Sequence, residues 1–171
     1  FLSMPAMNLL VENNTSIIIC GKNHLPNGMF LNLNSHHIQQ EIFKNQIEAS
    51  VPLKKQLWQQ TIIEKITNQG ILLEKITGEK NSFDFIASKV LSGDTSNMEA
   101  TAANIYWKAF FENSTFKKFK RERFGDYPNN FLNYGYAILR AATARALSGS
   151  GLLNTLGIHH KSKYNAFALA D

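Results

Sequence analysis

A mainly helical protein with a small strand-bearing portion at its N-terminal end, α+β overall, is the fold class the sequence predicts. Three observations predict it. The run Ser16 to Cys20, SIIIC, is short, β-branched and bounded by turn residues, which is a strand signature. After Ser35 the apolar residues recur at three- and four-residue spacing, the period of a helix. The Ala-rich run Asn130 to Leu147 is long enough for about five helical turns, and Gly149-Ser150-Gly151 behind it has the backbone freedom to end it.

Taken in order, Pro5 suits the first turn of a short helix through Val11, which Glu12-Asn13-Asn14 ends. SIIIC reads as a buried strand, GKNHLPNG as a turn, and Met29 to Leu33 as a second strand. Two strands alone are marginal in water, so further sheet is expected upstream. Ser35 is a candidate N-cap for a helix carrying Ile38, Ile42, Phe43 and Ile47. A new helix starts near Ser50 with Pro52 in its first turn. Its apolar stripe runs Leu53, Leu57, Trp58, Ile62, Ile66, Leu73 and Ile76, interrupted by Gly70 and closed by Gly78. A shorter helix covers Phe83, Ile86, Ala87, Val90 and Leu91 and stops at Gly93. Another begins at Asp94-Thr95-Ser96 and carries MEATAANIYWKAFF. The change of period places a boundary at Leu33 to Ser35. Residues 1–34 are then the remnant of a β domain with its linker, and residues 35–171 a helical domain.

With 44% hydrophobic and 18% charged residues among 171, the chain can bury a core. Eighteen Lys and Arg against thirteen Asp and Glu give a net charge of +5, a balance that suits a polyanionic partner such as nucleic acid. Cys20 is the one cysteine, which excludes a disulfide framework and a thiolate metal site and fits a reducing compartment, the cytoplasm. No window reaches the ~18 apolar residues of a membrane span, and the first residues lack the basic flank of a signal peptide. Starting at Phe1 and stopping on Asp171, the chain reads as a fragment.

Four groups of residues carry candidate chemistry. Glu99 lies three residues after Ser96, the spacing of a capping box in which it would reach back to the Ser96 amide. Alternatively, with Ala100, Ala102 and Ala103 leaving room beside it, its carboxylate points into a tight helix junction as a metal ligand. KKFKRERF places Lys117, Lys118, Lys120, Arg121 and Arg123 among Phe116, Phe119 and Phe124. That run is either a solvated helix face with its aromatics turned inward or a phosphate-contacting surface. His159 and His160 are either loop histidines or, with Glu99 and Asp171, donors to a divalent ion. Unbroken helix from His160 to Asp171 would separate them by roughly 16 Å. A common ion therefore requires KSKYN to turn the chain.

The combination SGDTSNMEATAANIYW, NNFLNYGYAILRAATARAL, GLLNTLGIHH and NAFALAD resembles the endonuclease/integrase family of CRISPR spacer acquisition. The likeness is tight from Asp94 to Asp171. It extends more loosely, in the form found in type II systems, to KQLWQQTIIEKITNQGILL and SIIICGKNHLPNG.

The resemblance implies an N-terminal β domain and an all-helical catalytic domain. This chain begins within the first and ends within the second. It places the family's glutamate on Glu99, ahead of Tyr106-Trp107, and its Gly-x-x-His histidine on His160, with His159 a neighbour. Its first acidic ligand falls on Asp171, with a further acid expected beyond. Tyr134 matches a tyrosine near the family's active site, or else is a buried helix aromatic. Implied with these are Mg²⁺ or Mn²⁺ as cofactor, phosphodiester strand transfer on double-stranded DNA, a homodimer and a small ferredoxin-like partner protein. Two other readings stand beside this one: a non-enzymatic helical DNA-binding or scaffold module, and a catalytically inert piece of the integrase.

Overall fold

The computed structural model describes residues 2–22, 26–33, 38–112 and 114–171. Helix α1 (Met4–Glu12) opens where Ser3 accepts the Ala6 amide, with proline in its first turn. Strands β1 (Ile17–Cys20) and β2 (Pro26–Phe30) pair antiparallel, Ile17 opposite Phe30 and Ile19 opposite Gly28. The second strand therefore begins three residues before the expected Met29. Pairing with β1, not the β-propensity of Met29 to Leu33, sets its register, and a shift between Ile19 and Cys20 admits Pro26 opposite Cys20. Nor is β1 buried: Ile18, Ile19 and Cys20 are exposed. Helix α2 spans Gln39–Glu48 and buries none of its residues. The proposed cap Ser35 lies outside the described residues.

Helix α3 (Val51–Thr77) begins and ends as the sequence predicts. Ser50 accepts the Leu53 amide, and Gly78 closes it in the left-handed conformation at φ 73°. Trp58, Ile62, Ile66, Gly70 and Leu73 are its buried stripe, whereas Leu53, Leu57 and Ile76 are exposed. Gly70 is thus part of the packing seam, not an interruption. Helix α4 (Phe83–Ser88) packs Phe83, Ile86 and Ala87 against that seam, and Gln59 donates to the Val90 carbonyl just beyond it. A short 3-10 helix (Ser92–Asp94) leads into α5 (Met98–Phe111), which buries Ala102, Tyr106 and Phe111. Trp107 and Phe111 gather Phe119, and Phe111 also meets Phe116, in edge and tilted contacts. Helix α6 (Asn129–Gly149) buries Ala137, Ala141 and Ala144 along one side and packs on β2.

These elements form two compact units. One comprises residues 50–122, with α3, α4 and α5; the other joins residues 1–49 to residues 123–171. Among the described residues the strands form only a two-stranded sheet, so the chain is mainly α and α+β overall. No described helix is long and apolar enough to cross a membrane.

Candidate functional site

Within the unit of residues 50–122, Glu99 sits in the first turn of α5. The capping-box alternative does not hold. Asp94 caps the helix, its two carboxylate oxygens accepting the Met98 amide at 2.8 Å and the Glu99 amide at 3.0 Å. Ser96 instead donates to the Lys89 carbonyl. Three left-handed residues, Gly93, Asp94 and Asn97, bend the chain sharply enough to bring Asp94 over the helix end. Asp94 thus takes the Glu99 amide that Ser96 Oγ would accept in a capping box, and the Glu99 side chain pairs elsewhere. It follows Ala102 and Tyr106 around the helix toward α3, where its Oε1 meets Lys65 Nζ at 2.5 Å with the carboxylate about one-third exposed. The carboxylate lies at the rim of the α3–α5 seam, its anion balanced by one ammonium group.

In the other unit, His160 and Asp171 are carried by a non-helical stretch that follows α6. Gly151 turns the chain at φ 78°. The Asn154 side chain then donates to the Ala144 carbonyl and to Ser148 Oγ of α6, while its backbone carbonyl accepts the Leu169 amide at 2.9 Å. Gly157 is pressed against backbone: an added Cβ would stand 2.6 Å from the Ala168 oxygen and 2.8 Å from that of His160. The expected turn over KSKYN is present, with the Asn165 amide donating to the Ser162 carbonyl, and AFALAD continues in turns up to Asp171, whose amide donates to the Phe167 carbonyl. Arg140 of α6 pairs with one Asp171 carboxylate oxygen, and Asn165 donates to the other at 2.8 Å. Asp171 is therefore held at both oxygens, its side chain about one-fifth exposed. His159 and His160 are exposed, with ring centroids 5.7 Å apart and planes at 80°. Tyr134 is half exposed on α6, so the buried-aromatic alternative is overturned.

The basic run is not a helix face. Residues 115–118 are turns, and residues 119–122 are irregular. Phe116 and Phe119 turn inward to Phe111 as one alternative expected, but Phe124 is 89% exposed with the Arg123 guanidinium 5.5 Å from its ring. Lys117, Lys118, Lys120 and Arg123 are exposed; Lys120 pairs with Glu122, and Arg121 donates to the Glu122 carbonyl.

The donor set assigned by resemblance, two carboxylates and one imidazole, suits a hard divalent cation such as Mg²⁺ or Mn²⁺. Each carboxylate pairs with a partly exposed side-chain cation, Lys65 or Arg140, and both carboxylates are partly open to solvent. Among the described residues, no three His, Cys, Asp or Glu side chains gather as a metal-binding group. Reasoning from the sequence missed Asp94, Lys65, Arg140, Asn154 and Gln46. Asp94 alone left a signal, as an acid just before a helix start.

The family described as CRISPR associated protein Cas1 matches residues 2–171. The CRISPR-associated endonuclease Cas1 of Neisseria meningitidis serogroup C (strain 8013) is 40% identical over 172 residues, covering 99% of this chain and 55% of that protein. Among solved structures, a casposase bound to integration product shares the fold with a TM-score of 0.67 at 23% identity, over 98% of this chain and 52% of the other. The chain thus spans about half the length of the relatives it matches.

Proposed function

The chain belongs to the CRISPR-associated Cas1 family, and from that premise we propose that it acts in a metal-dependent DNA endonuclease and integrase that inserts new spacers into a CRISPR array, a step of antiviral defence. The proposal includes double-stranded DNA as substrate, protospacer on one side and repeat on the other. It also includes a homodimer working with a small ferredoxin-like adaptation protein in the cytoplasm. The hairpin with α1 is read as the remnant of an N-terminal β domain up to residue 34, and residues 35–171 as the helical catalytic domain. What carries the reading is the likeness to a relative named as an endonuclease, together with the residues that bear the family motif: Glu99 at the start of α5, and Gly157-x-x-His160 followed by Asp171.

Glu99, His160 and Asp171 would hold Mg²⁺ or Mn²⁺. Such an ion polarises a phosphodiester and stabilises charge that develops during in-line displacement. A DNA 3′-hydroxyl is the nucleophile: one P–O bond forms as another breaks, and the leaving group is a new 3′-hydroxyl, with no covalent enzyme intermediate. Lys65 and Arg140 pair with the two carboxylates. Lys117, Lys118, Lys120, Arg121 and Arg123 contact phosphates, and Tyr134 on α6 lies near the active site, as the resemblance implies.

Glu99→Ala in the full-length protein tests this. The half-exposed Lys65–Glu99 pair contributes at most about 1 kcal/mol, and Asp94, not Glu99, caps α5. The variant should therefore fold, bind DNA and lose metal-dependent strand transfer. Wild-type strand transfer should vanish in EDTA while DNA binding persists. Activity of the variant within a few-fold of wild type would sink the metal assignment, and a wild-type protein that binds DNA without any strand transfer would indicate a binding module.

A further inference from the structure

The loop that carries His160 is clamped by one side chain from a distant part of the sequence. Gln46 Oε1 accepts the Leu153 amide at 2.8 Å, and its Nε2 donates to the Leu153 carbonyl at 2.9 Å and to the Leu156 carbonyl at 3.1 Å. A primary amide that accepts from one peptide N–H and donates to the C=O of the same residue pairs with the backbone as a neighbouring strand would. Irregular backbone needs such partners, because it has no ladder of its own. Gln46 supplies them across 107 positions of sequence.

Two features make this more than a stabilising contact. Helix α2 buries none of its residues, and Gln46 is only partly buried, so the helix contributes little apolar packing. The clamp also lies one residue from Gly157, whose backbone is pressed on the His160 carbonyl and on Ala168. Fixing Leu153 and Leu156 therefore fixes Gly157, and Gly157 sets where the His160 backbone can lie. Asn154 anchors the same loop to α6 from the other side.

We propose that Gln46 is a positioning residue for His160, holding the loop of residues 152–160 so that the imidazole is presented in one orientation. The inference rests on the role given to His160 above. It adds a residue remote in sequence whose amide, without touching DNA or metal, sets the geometry of a ligand. Groups that orient a metal ligand typically change affinity or activity by about 10- to 100-fold when removed.

The test uses the full-length protein and Gln46→Met, which keeps length and removes the hydrogen bonds. The thermal midpoint should fall by only a few degrees. The Leu153 amide should exchange with solvent about tenfold faster, the loss of roughly one hydrogen bond, and the His160 ring signals in NMR spectra should shift or broaden. Mn²⁺ affinity should weaken by about tenfold and kcat for strand transfer should fall by about 10- to 100-fold, with KM for DNA little changed. Gln46→Glu, which keeps the acceptor of the Leu153 amide but sets a carboxylate against the Leu153 and Leu156 carbonyls, should shift the ring signals and lower Mn²⁺ affinity and kcat likewise, with a smaller change in Leu153 exchange. Exchange, ring signals, Mn²⁺ affinity and kcat all near wild type would overturn the inference, as would global unfolding of both variants, which would make Gln46 a general stability residue. A wild-type protein that takes up no Mn²⁺ would instead refute the metal reading. The exchange and ring-signal arms need no metal and would then decide alone whether Gln46 orders the loop.

Discussion

Gly70→Ala and Gly135→Ala are the same substitution in two helices, and the surroundings give them opposite signs. Both should gain about 1 kcal/mol from helix propensity. At Gly70, in α3, the new Cβ would stand 2.6 Å from Phe83 Cβ, against the 3.4 Å at which ordinary contact begins, and 3.0 Å from Asn81 Oδ1. Neither neighbour can yield easily. Phe83 is fully buried and the atom met is fixed to its backbone, while Asn81 donates to the Gly70 carbonyl at 2.8 Å and accepts the Phe83 amide at 3.1 Å. Overpacking of this kind costs about 1–3 kcal/mol, and each of the two Asn81 bonds carries about 1 kcal/mol more at risk. The net loss is about 1–3 kcal/mol, a fall of roughly 3–10 °C in Tm for a chain of this size. At Gly135, in α6, nothing lies within 4 Å of the new methyl. That variant should be more stable by about 0.5–1 kcal/mol, roughly 2–4 °C. Thermal melts followed by far-UV circular dichroism, with urea titrations to give the free energies, measure both. A Gly70→Ala protein as stable as wild type would refute the packing argument, and so would two shifts of the same sign.

Asp94→Ala removes the acceptor of two amides at the N-terminus of α5 and should destabilise by about 1–2 kcal/mol; urea titration would show it, and an unchanged midpoint would mean that the cap contributes nothing. Neutralising three of Lys117, Lys118, Lys120, Arg121 and Arg123 should flatten the plot of log DNA affinity against log salt by up to about 0.9 per lost phosphate contact. An unchanged slope in a binding titration would leave the run as a solvated surface.

The ends of helix α3 are legible because their signals are local, Ser50 and Pro52 at one and Gly78 at the other, whereas of the stripe between them Trp58, Ile62, Ile66 and Leu73 are buried and Leu53, Leu57 and Ile76 are not. Helix α6 is legible as a helix from its Ala-rich run, although it starts one residue before Asn130 and runs two beyond Leu147. Strand β2 was misplaced because strand limits are set by a partner across the sheet, and propensity along Met29 to Leu33 carries no knowledge of it. The capping-box alternative for α5 fails for a related reason: Ser96 and Glu99 have the right spacing, but left-handed backbone at Gly93, Asp94 and Asn97 folds Asp94 over the helix end, a conformation these residue types permit without dictating it. The motif residues could be named from likeness. Their partners could not, because Lys65 is 34 residues from Glu99, Arg140 is 31 from Asp171 and Gln46 is 107 from Leu153, separations at which no pattern in one sequence speaks.

The division of the chain into one continuous unit and one interrupted unit has a consequence for its synthesis. Residues 50–122 form their unit from a single stretch, mostly through elements adjacent in sequence, so this unit can fold as soon as it has emerged. The other unit is interrupted by it along the chain. Its first part, α1, the hairpin and α2, must wait until residues 50–149 have been made before α6 is complete and can pack on β2. At about 5–20 residues per second that interval lasts about 5–20 seconds. Gln46 is made early and meets Leu153 last, so ordering of the His160 loop coincides with closure of this unit.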